Sequence, residues 1–373
     1  MDYLNLRRQT LARNLKNDDG MDALLVTNPV NVTYLTGFTG DGSYLVASDK
    51  KYILVTDARF EQQVKEECEG IDVHVRPHSK TIAEAAGEVL TKAGTKSVGL
   101  EADHATLGAT DALQQAAPKV TFAAAKTRVE SQRVIKDPSE IEQIRAAVRA
   151  AERAFSMFKA TIREQDTEKD LVNAMEGYIR RSGARGAAFP PIVAVGERGA
   201  LPHAPPTDRA LGEGSKLLVD WGADMLYKSD ITRTFKSPFG TAPTRRNKHE
   251  RVGFDFDKVY DVVAAAHDAA VAAVRDGAAA KDVDAAARKV IAAAKFGDYF
   301  THGLGHGIGL EIHEAPRIRS NSTDVLESGM VITIEPAIYI PDWGGIRIED
   351  DYLVTKDGAT RLTTLPRDPG AIG

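Results

Sequence analysis

Four carboxylates stand within or at the ends of runs that otherwise read as buried strands, and no other feature constrains the fold as strongly. Asp220 ends the run Lys216-Leu-Leu-Val-Asp220, and Asp230 opens Asp230-Ile-Thr-Arg-Thr-Phe235 after an intervening turn. Glu335 is embedded in Met330-Val-Ile-Thr-Ile-Glu335-Pro336, and Glu349 in Gly345-Ile-Arg-Ile-Glu349-Asp350. An acid drawn inside by apolar neighbours is costly unless something offsets its charge, and a cation would do so. Read as hairpins, Asp220 and Asp230 face each other across neighbouring strands, as do Glu335 and Glu349. With Cys68 the only cysteine, no thiolate cluster can form, so any metal must use His, Asp and Glu.

The imidazoles point the same way. His302, His306 and His313 fall within twelve positions, and His203 stands apart in Leu201-Pro-His203. Glycines at 303, 305, 307 and 309 are expected to let the backbone approach a ligand in a loop. A dinucleotide fingerprint fails, since the position that needs its last glycine is Leu310. Four carboxylates and one imidazole suit two divalent ions, whose four positive charges match the four acids. Such a pair polarises a carbonyl, lowers the pKa of a bridging water and stabilises a tetrahedral oxyanion, which amounts to hydrolysis of an unreactive bond.

The rest of the chain frames that site. Its 373 residues allow two to three domains. A net charge of −5 without a basic block argues against nucleic acid, and no apolar run of membrane-spanning length occurs. The N-terminus lacks the apolar core of a secretory signal, and the lone cysteine agrees with a reducing compartment, so a cytoplasmic protein is expected. Helical and strand patterns alternate up to about residue 100, with a hairpin over Ser43 to Thr56 around Asp49-Lys50-Lys51, which predicts an α/β domain with a mixed sheet. Asp137 or Ser139 can cap a helix with Pro138 in its first turn, so the domain boundary is placed near Lys136, giving domains 1–135 and 136–373. The second part reads as two α+β blocks. One has helices near 139–163 and 167–182 and strands near 189–195, 216–222 and 225–235. The other has helices near 257–276 and 281–295 and strands near 330–338 and 346–354. Residues 237–256, with the basic run Arg245 to Arg251, read as a solvated loop.

These motifs resemble those of the pita-bread metallopeptidases, which include Xaa-Pro dipeptidases (prolidases), Xaa-Pro aminopeptidases, methionine aminopeptidases and the non-metal relative creatinase. The resemblance covers nearly the whole chain. It is most specific in Phe189-Pro-Pro-Ile-Val, Leu201-Pro-His203, Asp220-Trp-Gly-Ala, Ser229-Asp230-Ile-Thr-Arg-Thr, Gly305-His306-Gly-Ile-Gly, Ile312-His313-Glu314-Ala-Pro316, Thr333-Ile-Glu335-Pro and Arg347-Ile-Glu349-Asp. It implies an α+β fold, with a creatinase/prolidase-type α/β domain before a catalytic domain of duplicated α+β halves. It further implies that Asp220 chelates a first ion, Asp230 and Glu349 bridge both, and His306 and Glu335 complete the second. By the same likeness His203 and His313 contact the scissile carbonyl or its tetrahedral adduct, and Glu335 shuttles a proton from a bridging hydroxide's parent water to the leaving imide nitrogen. His302 lies near the substrate pocket, and Arg317 can pair with a substrate carboxylate. The implied ions are Mn²⁺ first, with Co²⁺, Zn²⁺ or Fe²⁺ as alternatives. The implied partners are short proline-containing peptides and a second copy of the chain in a homodimer.

Two departures from the family pattern stand out. Asp220 and Asp230 are ten positions apart rather than the usual eleven, which places the missing residue in Asp224 to Lys228, and residues 238–256 make a longer connector. A dipeptidase is favoured over an aminopeptidase through Arg317. The competing readings are a non-catalytic peptide- or partner-binding member of the fold and a creatinase-like amidinohydrolase. Trp221 and Trp343 read as packing residues, the latter with a possible place at the pocket edge. Cys68 reads as a core thiol, and His74, His78, His104, His249 and His267 as surface or satisfied groups without a carboxylate constellation.

Overall fold

The computed structural model describes residues 2–18, 20–237, 239, 254–370 and 372. The chain divides into two compact units, Met1–Arg133 and Val134–Gly373. Most of the long connector, including the basic run and His249, lies outside the described residues.

The first unit is built on one six-stranded sheet, ordered Asp72–Arg76, Tyr52–Asp57, Tyr44–Ser48, Ala23–Val26, Ser97–Glu101 and Thr121–Ala125. The hairpin and its neighbour Ala23–Val26 pair antiparallel, while the outer strands join in parallel, which is the mixed sheet expected from the alternation. Helices Pro29–Thr36 and Leu107–Ala116 and the edge strand Thr121–Ala125 escape the sequence pattern. The first is rich in β-branched residues and is fixed by its ends. The Asn28 side chain accepts from the Val30 amide, Pro29 opens the first turn, and Gly37 closes the helix at φ 81°. The alanine-rich strand owes its state to pairing with Ser97–Glu101 rather than to propensity.

The second unit opens with helix Pro138–Lys159. Asp137 accepts from the amides of Ser139 and Glu140, and Glu140 returns the bond to the Asp137 amide. Its buried face includes Ile144, Val148, Ala151, Phe155 and Phe158. Phe155 stacks on Trp221 at 4.5 Å, and the Trp221 indole donates to the Ala151 carbonyl at 3.0 Å, so this helix fixes the strand that carries Asp220.

Strand Lys216–Trp221 lies between Ile192–Val195 and Ile231–Lys236. The expected strand over 225–235 is broken, because Ala223–Met225 and Tyr227–Lys228 fold back around Leu226 at φ 88° in a separate small sheet with Gly186–Ala187. The expected strand over 189–195 begins only at Ile192, since Pro190 and Pro191 have no amide to donate. Helices Phe256–Ala273 and Ala280–Ala293 share a core with a five-stranded sheet ordered Glu314–Ile318, Gly305–Gly307, Val331–Ile334, Asp350–Thr355 and Gly358–Arg361.

The centre of the glycine-rich segment, Gly305–Gly307, is therefore a strand, while Gly303 and Gly309 lie outside it. A Cβ at Gly305 would lie 2.1 Å from the Thr333 carbonyl oxygen, and one at Gly307 would lie 2.0 Å from that of Ala315. These glycines admit neighbouring strands, rather than a ligand, to the His306 backbone.

Candidate metal centre

Register decides which side chains meet. Asp220 is paired with Thr232 rather than directly with Asp230, and alternation puts Asp230, two residues before Thr232, on the same face. Glu349 follows strand Gly344–Arg347, and its amide donates to the Thr232 carbonyl at 3.1 Å, joining the two α+β blocks. Glu335 follows Val331–Ile334, and its amide donates to the Leu304 carbonyl at 2.8 Å. Ile334 pairs with Asp350, so Glu335 and Glu349 continue that register by one position.

His306 Nδ1 lies 3.0 Å from the Gly307 carbonyl, which can only accept, so Nε2 presents its lone pair to the acids. Nε2 is 3.7 Å from Asp230 Oδ2 and 3.7 Å from Glu335 Oε1. Donor atoms of Asp230, His306 and Glu349 all lie within 4.8 Å of one another, and all three residues are buried. The Thr232 hydroxyl donates to Glu349 Oε2 at 2.7 Å. Asp220 accepts from Arg347 through Oδ2, while its buried Oδ1 has no hydrogen-bond partner.

The electrostatics of this cluster are unbalanced. Asp220, Asp230, Glu335 and Glu349 share a cleft of about 690 Å³ with a single buried guanidinium, Arg347. Burial pushes the carboxyl groups of Asp230 and Glu335 well above the ordinary range, with the Glu349 charge adding to both. Glu349 is pushed up to about 8 by burial and by Asp220. Asp220 also rises through burial, although Arg347 pulls the other way. Burial, reinforced by His313, lowers His306 to about 3, which keeps its imidazole neutral. Neutral imidazole, an orphaned Asp220 oxygen and acids in excess of cations form a donor set suited to divalent metal.

The remaining predicted residues border this centre. His313 meets the His306 ring edge-on at 4.5 Å. His203, His313 and Arg317 line the cleft and are exposed. His302 Nδ1 lies 2.7 Å from the Gly303 carbonyl and Nε2 3.1 Å from the Tyr339 hydroxyl, with Nδ1 3.9 Å from Glu335 Oε2. Phe189, Pro190, Pro191, Ile192 and Pro202 give the cleft an apolar wall.

Sequence reasoning passed over Arg347, Thr232 and Tyr339. Arg347 binds Asp220, the Tyr339 hydroxyl, the Thr232 hydroxyl and the Pro202 carbonyl from one buried side chain. The signal was present, since an arginine two positions before Glu349 in an apolar strand faces the same side as that acid. His267 needs correction: it is fully buried, with Nε2 3.6 Å from Asp350 Oδ2, rather than free of carboxylates. Trp343 is buried beneath the Lys216 ammonium and is not among the residues lining the cleft. Cys68 is only half-buried and caps helix Glu61–Glu67.

A buried, under-neutralised group of acids and imidazole at the meeting of two α+β blocks defines a metal-dependent hydrolase. The chain belongs to metallopeptidase family M24, whose profile matches residues 142–356, and the profile of the creatinase/prolidase N-terminal domain matches residues 7–135. It is 34% identical to the Xaa-Pro dipeptidase of Pyrococcus horikoshii over 373 residues, covering 99% of each chain. Among solved structures it is similar to an Xaa-Pro dipeptidase from Bacillus anthracis, with a TM-score of 0.90, 32% identity and 99% of each chain covered. An X-Pro aminopeptidase from Thermotoga maritima superposes with a TM-score of 0.86 at 32% identity, covering 94% of this chain and 98% of that one.

Proposed function

We propose that this chain is an exopeptidase that cleaves the imide bond of Xaa-Pro dipeptides and short Xaa-Pro peptides. The observation that carries the reading is the convergence of four acids and one neutral imidazole on a cleft with one buried guanidinium, Arg347. Asp220, Asp230, His306, Glu335 and Glu349 would hold two divalent ions, Mn²⁺ first, with Co²⁺, Zn²⁺ or Fe²⁺ able to substitute. When bound, such ions supply Lewis acidity and lower the pKa of water.

The chain's own groups do the rest. Glu335, at the edge of this acidic cluster 3.7 Å from His306 Nε2, can take up a proton and return it to the imide nitrogen, a poor leaving group until protonated. His203 and His313, at the open side of the cleft, are placed to hydrogen-bond the carbonyl oxygen. His302 is locked between Gly303 and Tyr339 and shapes the substrate pocket. Arg317 offers a guanidinium to the substrate carboxylate, which favours dipeptides.

Residues 136–373 carry this chemistry in our reading, and residues 1–135 form the N-terminal domain. The resemblance to prolidases supports a homodimer, and the single cysteine supports the cytoplasm as the compartment. Among the described residues, no helix is long and apolar enough to cross a membrane.

The test is chelation followed by readdition of Mn²⁺, Co²⁺ or Zn²⁺, with Ala-Pro and Ala-Pro-Ala as substrates. Chelated protein should be inactive and metal should restore release of alanine. Full activity in the presence of chelator would remove the metallopeptidase mechanism.

A further inference from the structure

The cleft has an acidic end and a basic rim. At the rim two arginines, Arg317 and Arg319, line the same cavity as the buried acids. Exposure alternates along strand Glu314–Ile318, with Ala315 and Arg317 exposed and Glu314, Pro316 and Ile318 buried, and Arg319, just beyond the strand, is exposed and lines the same cleft as Arg317. Arg317 stands opposite His306 in the strand register, beside the metal centre. Arg319, just past the end of strand Glu314–Ile318, lies beside Gly303, where a Cβ would come within 3.1 Å of the Arg319 Cβ, so the glycine leaves room for this residue. Neither arginine has a side-chain hydrogen bond or ion pair among the described residues, in contrast to the five-contact Arg233 and the pocket's own Arg347.

Two exposed cations without side-chain partners, lining the same cleft as a cluster of acids, match a zwitterionic peptide laid with its carboxylate on the arginine side. Positions two apart on a strand are about 7 Å apart, and an extended peptide advances roughly 3.5 Å per residue. One guanidinium therefore suits the carboxylate of a dipeptide. A carboxylate one residue further along advances about half that separation, and the long, flexible Arg319 side chain can reach back to it.

We propose that Arg319 is a specificity residue of this cleft that binds the carboxylate of a substrate one residue longer than a dipeptide. The substrate class then extends from Xaa-Pro dipeptides to Xaa-Pro-Xaa tripeptides with a free C-terminus. This inference rests on the Xaa-Pro peptidase reading and explains how one site can combine the dipeptidase and aminopeptidase activities named for its relatives.

The experiment compares kcat/KM for Ala-Pro, Ala-Pro-Ala and Ala-Pro-Ala-amide with metal-loaded, full-length protein. Arg319→Gln should lower the ratio of Ala-Pro-Ala to Ala-Pro about tenfold, chiefly through KM, and Arg319→Lys should recover part of it. Amidating the tripeptide should cost the unaltered protein a similar factor and leave the variant nearly indifferent. An unchanged ratio, or no response to amidation, overturns the assignment. Calorimetry with Pro-Ala and proline separates this from the underlying activity. Should the unaltered protein cleave neither peptide, the peptidase reading fails, and weaker Pro-Ala binding by Arg319→Gln still supports Arg319 as the carboxylate site, whereas equal binding overturns it.

Discussion

Glu349 and Asp350 are neighbours in sequence and both are fully buried, yet they sit in opposite electrostatic surroundings. On the Asp350 side the charge is answered by protein. Asp350 Oδ1 accepts from Arg233 at 2.6 Å and Arg361 at 2.8 Å, and Arg367 Nε lies 3.9 Å from Oδ2. On the Glu349 side one buried guanidinium faces four acids, and that guanidinium is committed to Asp220 and Tyr339. The same residue chemistry thus builds a structural knot on one face and an ion site on the other. A buried acid marks a metal centre only where the fold has withheld its arginines.

The sharpest way to break this contrast is to neutralise one acid on each side. Asp230→Asn should abolish hydrolysis, by at least about a thousandfold, and lower metal stoichiometry, while leaving the metal-free protein as stable as before or more so. Asp350→Asn should do the reverse to stability. Leaving Arg233 and Arg361 without their acid should cost roughly 3–5 kcal/mol in denaturant unfolding. If Asp230→Asn destabilised the metal-free chain as strongly as Asp350→Asn, the two sides would not differ in the way described.

A second prediction concerns pH. His267, on the Asp350 side, accepts at Nδ1 from Arg367 at 2.7 Å, and burial lowers its pKa to about 4. The folded state therefore favours the neutral ring. This contribution is fully present above the unfolded value of about 6.5 and is lost as pH falls towards 4, up to roughly 3 kcal/mol. Urea midpoints at pH 7 and pH 5 should fall together with this loss in the unaltered protein and much less in His267→Gln. Equal pH dependence in both would assign the acid sensitivity elsewhere.

The smallest expected effect is at Thr232, which holds Glu349 by its hydroxyl and accepts from Arg347. Thr232→Val keeps the shape and removes both bonds. Metal affinity should weaken about tenfold, with a stability change near 1 kcal/mol. Isothermal titration with Mn²⁺ would show it, and unaltered affinity would mean that Glu349 needs no such restraint.

Much of this was legible in the chain itself. The capping residues at Asp137, the Asp49-Lys50-Lys51 turn and the acids in apolar runs are local signals, and local chemistry is what a sequence displays. The glycines around His306 misled, because a missing side chain fits a ligand or a neighbouring strand equally well until the neighbour is known. The short strands Gly305–Gly307 and Glu314–Ile318 have too few residues to show a period.

Residue type and spacing alone determined that four acids would be carried inside and would need compensation there. They left open which acid meets an arginine and which does not. In Glu349-Asp350-Asp351 three acids run in succession, and only strand direction and register send one towards Arg347 and His306 and the next towards Arg233 and Arg361. Charge compensation acts over a few ångströms between residues more than a hundred positions apart, so the tertiary structure had to decide it.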